Sequence, residues 1–413
     1  MKFIHMADIH LGSLISLSFD KFDDIKKNEV YRVFKELVNL AVENKVDFIL
    51  LSGDVYDRDC YYIRANKIFL DEIRKLEKEN ILVYVIGGNH DPLDAQKNLY
   101  DIPSNLHIFK DDKLEIKYIY KDEKLICRII GESYNKREQK RIIEKFNIEK
   151  SDVYTIAMLH SSLNKNDKKY SPCSIVELRE NEVVDYWALG HIHKNAVLNK
   201  KPYIVYPGVM QGRDFGEQEK KGAYLVEVDN NDISTEFISV PSVIYKAVNL
   251  DVSLYDIENI SSLESVIVEN LDKCVDKNEK GYIFSLDLNG KGEINKILRE
   301  NKEDIIINLK EDINNHYINE ECFIKLDKID INTSNKINIE DYKDNVLIET
   351  IENYKKSLKL DSDFIKNLGI IFEENSDNED ENPLKVNLDK DDKNSILENA
   401  TNLIIDKILE MGE

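Results

Sequence analysis

The chain has 413 residues, of which 42% are hydrophobic and 9% aromatic, and it carries 57 basic against 79 acidic side chains, a net charge of −22. That length exceeds one ordinary domain, that apolar fraction belongs to a folded chain, and no apolar run is long enough to span a bilayer. Up to Val240 roughly 36 basic residues stand against 40 acidic ones, so most of the acid surplus lies beyond; such a surface repels polyphosphate, and nucleic-acid binding would need local basic patches, bound metal or a partner. The N-terminus, MKFIHMAD, lacks the parts of a secretory signal and reads as a strand, so a cytoplasmic protein is expected. Five scattered cysteines, Cys60, Cys127, Cys173, Cys274 and Cys322, contain no C-x-x-C pair and suggest neither a disulfide framework nor a thiolate zinc site.

In chain order, strand-like runs alternate with amphipathic helices. The pattern predicts a strand at Phe3–Met6, a helix around Lys21–Glu43, a strand at Asp47–Leu51, a helix around Ile63–Glu79 and a strand at Ile81–Ile86. Further strands are expected at Val153–Leu159, Val184–Leu189, Tyr203–Tyr206, Ala223–Val228 and Thr235–Val240. This alternation makes residues 1–240 an α/β domain. From Pro241 the order becomes strand, helix, strand, helix, strand, with Tyr245–Val252, Leu263–Leu271, Gly281–Leu288, Ile294–Asn301 and Cys322–Leu326, so residues 241–335 read as a small α+β domain. Residues 336–413 read as an acidic helical region, with helices at Tyr342–Leu358 and Ser395–Met411 around a spacer, Glu373 to Asp380 and beyond, that has little to bury.

Chemistry concentrates at the strand ends of the first domain. Asp8-Ile9-His10 places a carboxylate and an imidazole two apart, on one side if the chain stays extended. Asp54 follows Phe48-Ile49-Leu50-Leu51-Ser52-Gly53, Asn89 and His90 follow the third strand in GGNHD, His160 follows Ile156–Leu159, and His191-Ile192-His193 follows Tyr186–Gly190. Strand ends of an α/β sheet converge on one crevice. Carboxylate and amide oxygens with five imidazoles and no thiolate suit Mn²⁺, Fe²⁺ or Zn²⁺. Five histidines exceed the needs of one ion, and a pair of ions sharing Asp54 would lower the pKa of a bridging water and set it in line with a phosphodiester.

D-x-H, G-D, G-N-H-D, a lone histidine after a strand, and G-H-x-H, in that order, resemble the calcineurin-like metallophosphoesterases, a β-sandwich flanked by helices. The opening FIHMADIHLGS, the GHIHK and the stretch YPGVMQGRDFGEQEKKGAYLVEV are similar to the SbcD-type DNA-repair exonucleases within that family. The resemblance implies that one metal takes Asp8, His10, Asp54 and His193 and the other Asp54, Asn89, His160 and His191. It implies that His90, left over, approaches the scissile phosphate, with Asp91 as the orienting partner of His90 or its neighbour. It further implies two divalent ions, Mn²⁺ foremost, DNA as substrate, a capping role for the small domain, and a coiled-coil ATPase of the SbcC or Rad-fifty kind bound by the C-terminal helices; whether two copies pair as a homodimer the sequence leaves open.

Other residues have plainer readings. His5, His107 and His316 fit no motif and are expected to be structural. Arg58, in GDVYDRD, is either a phosphate-gripping arginine of the phosphoprotein phosphatase kind or a surface salt-bridge residue, the latter favoured because Asp59 stands where glycine is expected. Lys136–Arg141 reads as a basic helix start, either a solvated face or a DNA-backbone contact, as do Lys165, Lys168 and Lys169. The stripe Ile396, Ala400, Leu403, Ile404, Ile408 and Met411 packs on its own domain or on a partner's coiled coil. Two other readings remain open: a nucleotide or small-molecule phosphodiesterase or protein phosphatase on the same metals, and a non-catalytic scaffold for an ATPase, against which no ligand is missing.

Overall fold

The computed structural model describes residues 1–13, 22–57, 62–92, 100–111, 113–138, 141–146, 148–163, 169–229, 232–317, 321–334, 346–357, and residues 397, 400, 401 and 404. Arg58, Lys165, Lys168 and most of the expected helix at Ser395–Met411 lie outside them. The chain forms two compact units, Met1–Tyr245 and Lys246–Glu413.

In the first unit, β1 (Lys2–Met6), β2 (Phe48–Ser52), β3 (Leu82–Ile86) and β4 (Leu106–Ile108) run parallel, and β11 (Ala223–Asp229) and β12 (Asp232–Ile238) extend the same sheet antiparallel beyond β1. A second six-stranded sheet has the order β5 (Glu115–Lys121), β6 (Lys124–Gly131), β7 (Thr155–His160), β8 (Tyr186–Gly190), β10 (Tyr203–Tyr206) and β9 (Ala196–Lys200), parallel from β6 to β10. The two sheets stack through Phe3, Phe48, Leu50, Tyr84 and Ile86 on one side and Ile129, Ile156, Met158, Tyr186 and Ala188 on the other. Phe3 stacks on Phe48 at 5.0 Å between centroids and meets Tyr186 edge-on at 5.3 Å. The other face of the first sheet, Ile4, Met6, Ile49, Leu51, Val83 and Val85, packs on α1 (Phe22–Glu43) and α2 (Tyr62–Lys78) through Val33, Phe34, Leu37, Phe69 and Ile73. The outer face of the second sheet covers Trp187 and Leu189 with α3 (Ile175–Arg179) and its neighbouring loops. Strands covered on both faces are apolar at most positions, which is why they stand out as near-continuous runs.

The strands missing from the sequence pattern are edges and their neighbours, and two helices, Ile175–Arg179 and Lys302–His316, are missing from it as well. The hairpin β5–β6 is rich in lysine, glutamate and exposed tyrosine, β4 is three residues long, and β9 is only partly buried. Of the stretch Lys136–Arg141, Gln139 and Lys140 lie outside the described residues, Lys136–Glu138 lie in bends, and a 3-10 turn, Ile142–Lys145, follows. Arg141 pairs with Glu177 and Glu144, and Lys169 with Glu138, so these cations have acidic partners.

The second unit holds a sheet of β13 (Val243–Asp251), β14 (Gly281–Lys291) and β15 (Phe323–Ser334), the last two parallel, with α4 (Ile260–Asp272), α5 (Ile294–Glu300) and α6 (Lys302–His316). Helix α4 buries Leu263, Ile267 and Leu271, four apart, and α6 buries Ile305, Leu309 and Ile313 in the same rhythm. Asn259 caps α4 by accepting from Ser262 N at 3.0 Å. A last helix, α7, spans Val346–Ser357. Among the described residues no helix is long and apolar enough to cross a membrane.

Because Phe48 lies at the centre of the inter-sheet core, Phe48→Ala should cost about 3–5 kcal/mol. Urea unfolding followed by tyrosine fluorescence checks this, as a fall in midpoint with the slope unchanged.

Candidate metal centre

The site residues expected from sequence lie at or beyond the ends of parallel strands, with His160 the last residue of β7. The chain leaves β1, β2 and β8 in the left-handed region, with φ of 49° at Asp8, 50° at His10, 50° at Asp54 and 98° at His191. Non-glycine residues rarely adopt this conformation and need the surrounding structure to hold them there. The holding bonds are Asp8 N to Gly53 O at 3.0 Å and His10 N to Asp54 O at 3.0 Å. This corrects the extended-chain picture: Asp8 and His10 converge through turned backbone beyond the end of β1, and His191 and His193 do not act as one same-side pair.

His193 Nε2 lies 3.3 Å from His10 Nε2 and 4.0 Å from Asp8 Oδ1, and the three side chains form one ligand cluster. His191 Nδ1 instead lies 3.1 Å from Asn89 Oδ1, which is 2.9 Å from His160 Nε2. Asp54 stands between the groups, its Oδ2 3.4 Å from His160 Nε2 and 4.0 Å from His10 Nε2. A second cluster joins Asp8, Asp54 and His160. The Asp54 Oδ1 accepts from His90 N at 2.8 Å, and Asp8 accepts from His191 N at 3.0 and 3.1 Å. Two glycines make room: a Cβ on Gly53, at φ 93°, would strike the His160 ring, and one on Gly88 would strike Asp54 Oδ1.

The electrostatics call for cations. Asp8 and Asp54 are each 1% exposed. Burial raises the Asp8 carboxyl to about 6, although His160 and His193 oppose it. Burial also works against ionised Asp54, but the charge and hydrogen bond of His160, with His10 and His90, hold it far below the usual carboxylate range. His160, itself opposed by burial, is raised to about 9 by Asp54 and Asp8. An imidazolium thus stands where two buried carboxylates require positive charge. His160 Nδ1 donates to the Ser52 carbonyl at 2.9 Å, which leaves Nε2 as the ligand atom once the ring is neutral. His10, lowered to about 3 by burial, has a buried Nδ1 without a hydrogen-bond partner among the described residues and an Nε2 facing another imidazole nitrogen. Facing imidazole nitrogens and buried carboxylates are what a divalent ion satisfies, so the donor set fits metal.

His90 projects beside this set, its ring 4.8 Å from His10, and its Nδ1 donates to Asp57 Oδ1 at 2.9 Å, a bond that raises its pKa. Asp57, not Asp91, is therefore the carboxylate at that nitrogen. The Asp91 side chain, 4% exposed, accepts from Gly88 N at 2.8 Å, Val55 N at 2.8 Å and Tyr56 N at 3.2 Å. It ties the loop after β2 to the loop after β3, because three backbone donors next to Asp54 and Asn89 need an acceptor there. Burial and the Asp54 charge raise Asp91 to about 7.

Sequence reasoning also missed Glu217 and Arg213. Glu217 accepts from His193 Nδ1 at 2.6 Å, and Arg213 lies between Glu217 and Asp57. The signals were an aspartate three residues after Asp54 and the charged run GRDFGE after the last histidine pair. His5 is structural: wholly buried and lowered to about 3 by burial, it contacts Tyr186 Oη, the Leu189 carbonyl and Ser52 Oγ beneath the site. His107 stacks on Tyr84 and His316 meets Tyr317.

Residues 1–195 match the sequence profile of the family described as calcineurin-like phosphoesterase. The "Uncharacterized metallophosphoesterase YhaO" of Bacillus subtilis is 31% identical over 347 residues, 82% of this chain and 83% of that one. The chain belongs to the calcineurin-like metallophosphoesterases. Two proteins named "DNA double-strand break repair protein Mre11" are also similar: that of Methanococcus maripaludis is 25% identical over 414 residues, 94% of this chain and 98% of its own. That of Methanocaldococcus jannaschii is 29% identical over 251 residues, 56% of this chain and 64% of its own. As a metallophosphoesterase, the chain is a metal-dependent phosphodiester hydrolase whose family uses a pair of divalent ions.

Gly88→Ala should displace the Asp54 carboxylate without unfolding the sheets. The expected result is loss of at least one equivalent of bound metal in elemental analysis, with the far-ultraviolet circular dichroism unchanged.

Proposed function

We propose that this metallophosphoesterase is a two-metal DNA phosphodiesterase of the SbcD kind, acting in double-strand break repair. The observation that carries the reading is the arrangement of two ligand groups on either side of Asp54 with His90 beside them, in a chain that aligns over almost its whole length with a relative named for double-strand break repair. Asp8, His10, Asp54 and His193 would hold one ion and Asp54, Asn89, His160 and His191 the other, with Mn²⁺ as the working metal. The ions, when bound, activate water and neutralise the oxygens around phosphorus.

The chain's own residues do the rest. Ser52 and Glu217 fix the rings of His160 and His193 through their Nδ1 atoms, so each presents Nε2 to the site. Asp57 fixes His90 in the same way, and a protonated His90 can donate from Nε2 to the phosphoryl or leaving oxygen. Asp91 holds the two ligand loops in register. The acidic surplus of the C-terminal region repels DNA, so a partner of opposite duty is part of the reading: an SbcC-like coiled-coil ATPase bound by residues 336–413, with residues 241–335 as the capping domain, two copies pairing, and the assembly working in the cytoplasm.

His90→Ala should lower turnover of bis-p-nitrophenyl phosphate roughly 10²–10⁴-fold while both metals remain bound. Asp54→Ala should lose metal and activity together; two equivalents of Mn²⁺ still bound to it would overturn the shared assignment. With Mn²⁺, the purified chain should cut a labelled linear duplex as well as the small diester, both activities falling in His90→Ala. Cleavage of the diester alone, even with the ATPase supplied, would replace DNA by a smaller substrate. Removal of residues after Leu358 should spare the diester and weaken ATPase binding.

A further inference from the structure

The loop between β10 and β11 is not assigned a role by the ligand set, yet it carries Glu217, which touches the ligand His193, and Arg213 beside it. Arg213 is 16% exposed at its side chain and lies between two carboxylates. Its NH2 donates to Glu217 Oε1 at 2.9 Å and its Nε to Glu217 Oε2 at 3.3 Å. Its backbone N donates to Glu217 Oε2 at 2.9 Å, and its NH1 reaches Asp57 Oδ2 at 3.5 Å. Glu217 holds His193 at 2.6 Å, and Asp57 holds His90 at 2.9 Å. Gln211 anchors the loop by donating to the Val243 and Gly212 carbonyls at 2.7 Å each.

We propose that Arg213 is a positioning residue that locks the His193 ligand and the His90 imidazole into one unit by bridging their carboxylate partners, Glu217 and Asp57. This rests on the two-metal reading of the site. A guanidinium suits the task because its nitrogens diverge in a fixed plane, so one side chain grips Glu217 with two of them and Asp57 with the third. A lysine carries the same charge but presents it from a single point and cannot hold both carboxylates at once. Charge and position make opposite predictions here. Deleting a cation near the metals makes the local potential more negative, which by Coulomb's law alone tightens divalent binding. Releasing Glu217 lets the His193 ring turn, which weakens it.

The test is calorimetric titration of Mn²⁺ into the full chain, with kcat and KM for bis-p-nitrophenyl phosphate at saturating Mn²⁺. Arg213→Met and Glu217→Gln should each weaken Mn²⁺ binding about tenfold or more, as loss of a ligand's supporting carboxylate does elsewhere. Arg213→Met and Asp57→Asn should each lower kcat with KM nearly unchanged. Arg213→Lys should resemble Arg213→Met rather than the natural chain. Adding Glu217→Gln to Arg213→Met should weaken binding by less than the product of the two single effects. Should Arg213→Met fail to fold, the pair Glu217→Gln and Asp57→Asn carries the test: a double variant whose kcat loss is smaller than the product of the singles supports coupling, and independent multiplication overturns it. Mn²⁺ binding in Arg213→Met equal to or tighter than in the natural chain overturns the proposal while leaving the metal site standing. A natural chain that binds no Mn²⁺ overturns the metal reading itself.

Discussion

Two carboxylates, Asp8 and Asp54, are withdrawn from water at the ends of neighbouring parallel strands, and the rest of the site answers their charge. Burying one ionised carboxylate without a partner is very costly, and burying two side by side more so. The fold accepts this because the sandwich core beneath is large and rigid enough to hold the strand ends where they are. Phe3, Phe48 and Tyr186 stack below, and His5 bridges β2 and β8 with neutral hydrogen bonds. Around the carboxylates the sequence places imidazoles and an amide instead of lysine or arginine. Such ligands do not cancel the charge permanently; they leave it available to divalent ions.

Strain at the site has the same origin. Asp8, His10, Asp54 and His191 all take positive φ, a conformation that costs of order 1–3 kcal/mol per non-glycine residue. Each turn brings a donor atom over the end of the sheet that an extended continuation would carry past it. Gly53 and Gly88 serve the same end, leaving the space into which the His160 ring and the Asp54 carboxylate fit. Asp91 contributes through the backbone: its carboxylate collects the amide hydrogens of Gly88, Val55 and Tyr56, which the turned loops would otherwise leave unmet.

Much of this was readable in the sequence, and the boundary of what was readable is physical. Asp8, His10, Asp54, Asn89, His191 and His193 each follow a buried strand and His160 ends one, and buried parallel strands are nearly continuous apolar runs. Their ends are therefore marked, and topology alone brings them to one crevice. Helices α1 and α2 were visible for the same reason, through Val33, Phe34 and Leu37 and through Phe69 and Ile73 at helical spacing. The hairpin β5–β6 and strand β9 were not, because an edge strand half in water carries lysine, glutamate and tyrosine with no sharp alternation. The supporting carboxylates were missed because Glu217 reaches His193 across 24 residues and Asp57 reaches His90 across 33, from loops with no periodic signal. Local adjacency pointed instead to Asp91 next to His90, and the backbone of the neighbouring loop claimed that side chain first.

The central claim is that the charge of Asp54 is shared by two ions, and crystals soaked in Mn²⁺ and measured near the manganese edge test it most directly. The account predicts two anomalous peaks about 3.5–4 Å apart, one on each side of the Asp54 carboxylate. A single peak, or a second one remote from Asp54, would contradict it.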